Sequence, residues 1–143
     1  MKKSAKTKLE IPAESSNEGF ARVFAAAYSA RLDPTMEELA DIRTVISEAV
    51  TNAVVHAYPE RRGTVHITAQ VIDDEILEFT VKDTGRGIDD VEQAMEPMFT
   101  TGGEERSGMG FTIMQSFTDR LTVRSAPGKG TTVRFRKRIR RKR

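Results

Sequence analysis

Three short stretches of this chain carry side chains and backbone groups suited to holding a phosphorylated ligand. "RSGMGF" (106–111) sets Gly108 and Gly110 at the start of a predicted helix, after a polar segment. The free amides of Ser107, Gly108, Met109 and Gly110, with the helix dipole behind them, form an anion site. Arg106, just outside, can meet a terminal phosphate with charge-assisted hydrogen bonds. "DTGRG" (83–87) closes a predicted strand. Asp83 there offers acceptor oxygens that could take the exocyclic amine of adenine, and Gly85 and Gly87 permit positive φ or close approach by a flat ligand. "SEAVTNAVVH" (47–56) spaces Glu48, Asn52 and His56 four residues apart. At about 100° per residue they march along one helix flank, from the wet side toward the apolar stripe, where they can line a cleft edge together. Finally, "GKGTTV" (128–133) reads as a hairpin turn entering the last strand. No G-x-x-x-x-G-K-[ST] occurs, and the glycines of 83–87 do not open a helix, so this is neither a P-loop nor a dinucleotide fingerprint.

The elements that must position these residues follow from periodicity. Residues 6–12 alternate weakly and predict a first strand. Ser16, with Glu18 nearby and Phe20, Val23, Phe24, Ala27 and Tyr28 after it, predicts a capped amphipathic helix. "DPT" (33–35) breaks it, and Thr35 with Glu38 forms a capping box for a second helix from about Met36 to Ala57. Its stripe is Leu39, Ile42, Val45, Ile46, Ala49, Val50 and Ala53. After a turn at 59–63, residues 64–72 and 76–83 alternate with period two and predict a hairpin with one wet face. Residues 96–107 predict a mobile loop, 108–120 a third helix, and 121–126 with 131–139 a second hairpin. This order, β-α-α-ββ-loop-α-ββ, argues for an α+β fold: a two-layer sandwich with helices on one face of a mainly antiparallel, mixed sheet.

Composition bounds the remainder. At 143 residues, one domain is expected, with residues 1–137 as the folded unit and 138–143 as a basic tail. "RFRKRIRRKR" (134–143) holds eight Lys/Arg, so the net +2 of the whole chain leaves −6 on the other 133 residues. An acidic body argues against a nucleic-acid-binding domain, so no direct DNA binding is expected. A solvated end is the first expectation for the tail, with contact to RNA, DNA or an acidic partner as the alternative. No stretch has the length and hydropathy of a spanning helix, the N-terminus lacks an apolar signal core, and cysteine is absent. A cytoplasmic, reducing location and no membrane partner are expected.

The order E-x-x-x-N, D-x-G-x-G, G-x-G at a helix start and G-T-T resembles the ATP-binding (Bergerat-type) fold of DNA gyrase, Hsp90 chaperones, histidine kinases and MutL. "FARVFAAAYSARLDPTMEELADIRTVISEAVTNAVVHAY", "MFTTGGEERSGMGFTIMQSF" and "GKGTTV" resemble one branch more closely, the anti-sigma F factors of spore-forming bacteria. The resemblance spans about residues 8–134. It implies ATP held between helices and a lid, with Glu48 as the catalytic base and Asn52 as the Mg²⁺ ligand. It also implies Asp83 as the adenine reader, Gly87 beside the ring, Thr131 behind it, and His56 on the phosphate side. Arg106 would lie near the γ-phosphate, with Gly108 and Gly110 cradling the phosphates. Gly102 and Gly103 stand where the family carries a lysine–proline-like pair.

The resemblance further implies a homodimeric serine-protein kinase, without the H-R-D and D-F-G signatures of ordinary protein kinases. Such a kinase binds a sporulation sigma factor and phosphorylates its anti-anti-sigma antagonist on serine, and Arg22 matches a partner-binding arginine. Two alternatives remain: a related switch kinase for a stress-response sigma factor, and a nucleotide-gated sigma-binding module with little kinase activity. A histidine-kinase catalytic domain fits less well, because no helical hairpin presents a phospho-accepting histidine.

Overall fold

The computed structural model describes residues 1–57, 63–85, 87 and 110–140. Five strands, β1 (Thr7–Pro12), β2 (Thr64–Ile72), β3 (Ile76–Lys82), β4 (Arg120–Ala126) and β5 (Gly130–Arg138), form one sheet in the order β1-β2-β3-β5-β4. Among the described residues three α-helices, α1 (Asn17–Ser29), α2 (Met36–Asn52) and α3 (Gly110–Ser116), accompany it. All four strand pairings are antiparallel, so the mixed component expected for the sheet is absent among the described strands.

Alternation along the strands sorts the sheet into two faces. Ile11, Val65, Ile67, Ala69, Leu77, Phe79, Val81, Val133 and Phe135 lie on the core side and are nearly all fully buried. Phe79 stacks on Phe135 at 5.4 Å between centroids and meets Tyr28 of α1 edge-on at 6.1 Å. Helix α2 lays Ile42, Val45, Ile46, Ala49 and Val50 onto this layer, as its stripe predicts. Its capping box forms in both directions: Glu38 N–H donates to Thr35 Oγ1 at 3.1 Å, and Thr35 N–H donates to Glu38 Oε1 at 2.8 Å. The β2–β3 turn puts Asp73 and Asp74 at φ 52° and 57°. Two successive positive φ values are what a type I′ hairpin requires.

Four local expectations need correction. Ser16 precedes α1 but its side chain makes no capping hydrogen bond. The stripe of α1 is also rotated: Ala21, Ala25, Tyr28 and Ser29 are buried, while Phe20 and Val23 are 53% and 65% exposed. Ala21 and Ala25, not the larger Phe20 and Val23, are the side chains of α1 that the core encloses. Helix α2 is regular only to Asn52 and continues as a π-helical segment, Ala53–Ala57. Helix α3 ends at Ser116, where Asp119 turns into the next strand: its N–H donates to Arg136 O, and its carboxylate accepts from Arg138 N–H.

The first half of the C-terminal basic run, Arg134–Arg138, is strand. β5 reaches Arg138, Ile139 is 2% exposed, and Arg140 N–H donates to Glu38 Oε2 at 2.9 Å. Burial raises the affinity of Glu38 for a proton. Hydrogen bonds from Arg140 and Thr35, with the nearby Lys137 charge, outweigh that and hold its carboxyl below the usual range. Residues 141–143 lie outside the described residues, as do the predicted loop at 96–107 and most of the turn at 59–63.

Candidate active site

The connections bring the C-terminal end of α2 and the end of β3 to the same end of the sandwich. The chain leaving α2 leads into the start of β2, and His66 there pairs with Lys82 at the end of β3. The start of β5 lies beside both, since Lys82 pairs with Thr132 and the Ala53–Ala57 segment contacts β5.

At the helical side, Glu48 and Asn52 are half-buried on successive turns of α2. The first residue of α3 sits directly on them. A methyl group placed on Gly110 would lie 3.1 Å from Glu48 Oε2 and 3.8 Å from Asn52 Oδ1. Glycine at 110 is therefore what lets the helix start approach the carboxylate and amide. Asn52 Nδ2 is buried and finds no hydrogen-bond partner among the described residues. A buried amide without a partner is costly, on the order of 1–3 kcal/mol. Four-residue spacing holds through Asn52. Beyond it the backbone widens into the π-helical segment that contains His56, a form frequent at functional sites.

At the sheet side, Asp83 is 6% exposed, in the parity of the core face. Its Oδ1 accepts from Gly85 N–H at 3.0 Å and from Thr131 N–H at 3.2 Å, and its own N–H donates to Thr131 O at 2.9 Å. Burial raises the proton affinity of this carboxyl above the usual aspartate range, and the two backbone donors oppose burial without cancelling it. The turn after β3 and the β4–β5 turn touch through backbone. Gly87 has φ 77° and a Cβ there would fall 2.0 Å from Ala126 O, while Gly130 has φ 85° and its Cβ would fall 2.1 Å from Asp83 O. Thr131 Oγ1 lies 2.8 Å from Ser125 Oγ, which donates to Gly130 O.

Glu48, Asn52 and Gly110 are thus one cluster, and Asp83, Gly85, Gly87 and Thr131 another. Arg106, Ser107, Gly108 and Met109, the His56 side chain, and the Gly102–Gly103 pair lie outside the described residues. Arg22 is half-buried between α1 and α2: its Nη1 donates to Glu18 Oε1 at 3.0 Å and to Ser47 Oγ at 2.9 Å. Glu18 also accepts from Thr51 Oγ1 at 2.9 Å, so the network borders both Glu48 and Asn52 along the chain. Sequence reasoning passed over Gly130, Ser125 and this network. The i, i+4 spacing of Glu18 and Arg22 was visible, but the partners on α2 were not.

A model of the histidine kinase-like ATPase domain family matches residues 11–137. The chain is 54% identical to the anti-sigma F factor of Caldanaerobacter subterraneus subsp. tengcongensis, over 94% of both chains. It is 51% identical to that of Bacillus subtilis, over 92% of this chain and 90% of the other. The chain belongs to the anti-sigma F factor family. In this family member the sheet and helices overlay the RsbU and RsbW domains of a Mycobacterium tuberculosis protein with a TM-score of 0.71. That match is 20% identical and covers 97% of this chain and 34% of the other. A histidine kinase domain from Erythrobacter litoralis gives 0.61 at 24% identity, over 90% and 62% of the two chains. Both likenesses concern the fold alone.

Proposed function

We propose that this chain is an ATP-dependent serine-protein kinase and anti-sigma factor. It would sequester a sporulation sigma factor and phosphorylate the anti-anti-sigma antagonist on serine. The observation that carries this reading is the approach of Gly110 to Glu48 and to the unpartnered buried amide of Asn52. It joins a candidate base to an amide at the start of a helix, where phosphate oxygens can be held. Names of relatives support the sigma-factor partner.

Phosphoryl transfer depends on positioning and charge compensation more than on covalent help. The Glu48 carboxylate would accept the proton of the substrate serine as its Oγ forms a bond to the γ-phosphorus. The bond from that phosphorus to the β,γ-bridging oxygen breaks, and ADP leaves with those electrons. Asp83, with Oδ1 held by two backbone amides, would present Oδ2 to the adenine amine, with Gly85, Gly87 and Thr131 shaping the surrounding wall. Arg106, His56 and the amides of Ser107, Gly108, Met109 and Gly110 would complete the phosphate side.

The residues present suit Mg²⁺: Asn52 offers an amide oxygen to a cation that prefers oxygen ligands and retains water and phosphate oxygens. When bound, Mg²⁺ would neutralise charge on the phosphates. Arg22 is proposed as a partner contact together with the exposed Phe20 and Val23 on α1, and a homodimer is proposed as the assembly.

The test is to mix the protein with Mg·ATP and the candidate anti-anti-sigma protein and locate phosphate by mass spectrometry. One phosphoserine on the partner is expected. ATP-dependent sigma binding with no phosphorylated partner would replace the kinase reading with the binding-module one.

A further inference from the structure

The face of the sheet turned away from the helices is basic, and Arg134 and Arg136 of the C-terminal basic run lie on it. β4 contributes Arg120, Thr122 and Arg124, and β5 contributes Arg134 and Arg136. Register places Arg120 beside Arg136 and Thr122 beside Arg134. These five side chains line a shallow depression of about 140 Å³. The acid on this stretch of the face, Glu78, is 5% exposed and already committed: Gln70 Nε2 donates to it at 2.6 Å and Arg136 Nε at 2.8 Å. Arg134 makes a long 3.4 Å hydrogen bond to Thr80 Oγ1. Arg120, Arg124 and Lys82 are exposed, and none has an ion-pair partner among the described residues.

We propose that this face of β4 and β5 binds the sugar–phosphate backbone of duplex nucleic acid. Protein partners dock on an apolar or aromatic centre with a polar rim, and the depression is lined by arginine and threonine alone. Guanidinium and hydroxyl groups on a strongly positive surface are what phosphate oxygens recruit. No aromatic side chain lies among the residues lining it, so the stacking that holds single strands is missing. A second copy is disfavoured as occupant, because a two-fold contact centred here would set arginine against arginine. Protection of the open edge by charge would explain Arg120 and Arg124 on the edge strand β4, but not Arg134, one strand inside it. The −6 balance of residues 1–133 conceals the patch, because a net charge carries no information on how charges distribute over a surface.

The experiment is anisotropy of a labelled, mixed-sequence DNA duplex with the full chain, titrated across salt. Three neutralised phosphates give a slope of log K against log salt of about −3. R120S/R124S/R134S is expected to weaken binding tenfold or more at low salt and bring the slope near zero, with ATP affinity and melting temperature unchanged. Each single substitution should lessen the slope by about 1, which covers the case of a triple variant that fails to fold. Wild-type binding by the three single variants would overturn the proposal. So would loss of all binding on deleting residues 141–143 alone, or displacement of the duplex by polyglutamate as readily as by unlabelled duplex at equal charge.

Discussion

The two ends of the candidate cleft are built on opposite principles. Around Asp83 the polar groups are paired: two backbone amides serve one carboxylate oxygen, and two turns interlock through glycines. Around Glu48 and Asn52 a buried donor has no partner among the described residues, and a helix start lies against it. A paired, backbone-built end is rigid before ligand arrives and suits recognition of a flat base. An under-satisfied end, made of side chains on two helices, gains most when phosphate arrives. Under the proposed function, substrate recognition would fall to the sheet layer and chemistry to the helix layer.

The sharpest way to break this comparison is at the helical end. Glu48→Gln is expected to lower phosphoryl transfer by about 10²–10⁴-fold, the usual contribution of a general base, with nucleotide affinity retained. Transfer at the normal rate in single-turnover assays would remove Glu48 from the base role.

Next in size is the interlock at the sheet end. Gly130→Ala combines a left-handed backbone with overlap on Asp83 O and should cost on the order of 3 kcal/mol in chemical denaturation. Gly128→Ala, at φ 74° with open space around it, should cost only about 1 kcal/mol. Equal costs would mean that the close approach does not matter.

Asp83→Asn should weaken ATP binding by about 10–100-fold, the range for losing a hydrogen bond to a charged group. It should also change the pH profile. Because burial raises the proton affinity of Asp83 in the folded state, the folded chain holds this proton at pH values where the unfolded chain has released it. Stability from this group is therefore greatest below the unfolded aspartate pKa of about 3.9 and is lost as pH rises through the folded value. The Asn variant should lack that decline in a urea series across pH. Glu38 and Glu78, whose carboxyls are held below their usual range, run the other way and should produce the loss of stability in acid in both proteins.

The smallest effect, and opposite in sign, is expected from Asn52→Leu. Removing an unpartnered buried donor should leave the ligand-free fold as stable or up to about 1 kcal/mol more stable, while abolishing the gain in melting temperature on adding Mg·ATP. A destabilised ligand-free variant would show that Asn52 serves packing instead.

What could be read from the sequence alone was what repeats or sits locally. The α2 stripe, the Thr35–Glu38 box, both hairpins and the Glu48–Asn52 spacing depend on neighbours a few residues apart, and all appear in the structure. The rotation of α1 did not, because which of its faces is buried is set by its docking on the rest of the fold. Nor did the tie of Arg22 to Ser47, the clasp between Gly130 and Asp83, or the gathering of arginines from β4 and β5 onto one face. The first two joins link residues tens of positions apart, and the third sets two strands of one hairpin side by side. Chain order lists their members, but strand register and helix docking, set by burial of the common core, decide which of them meet.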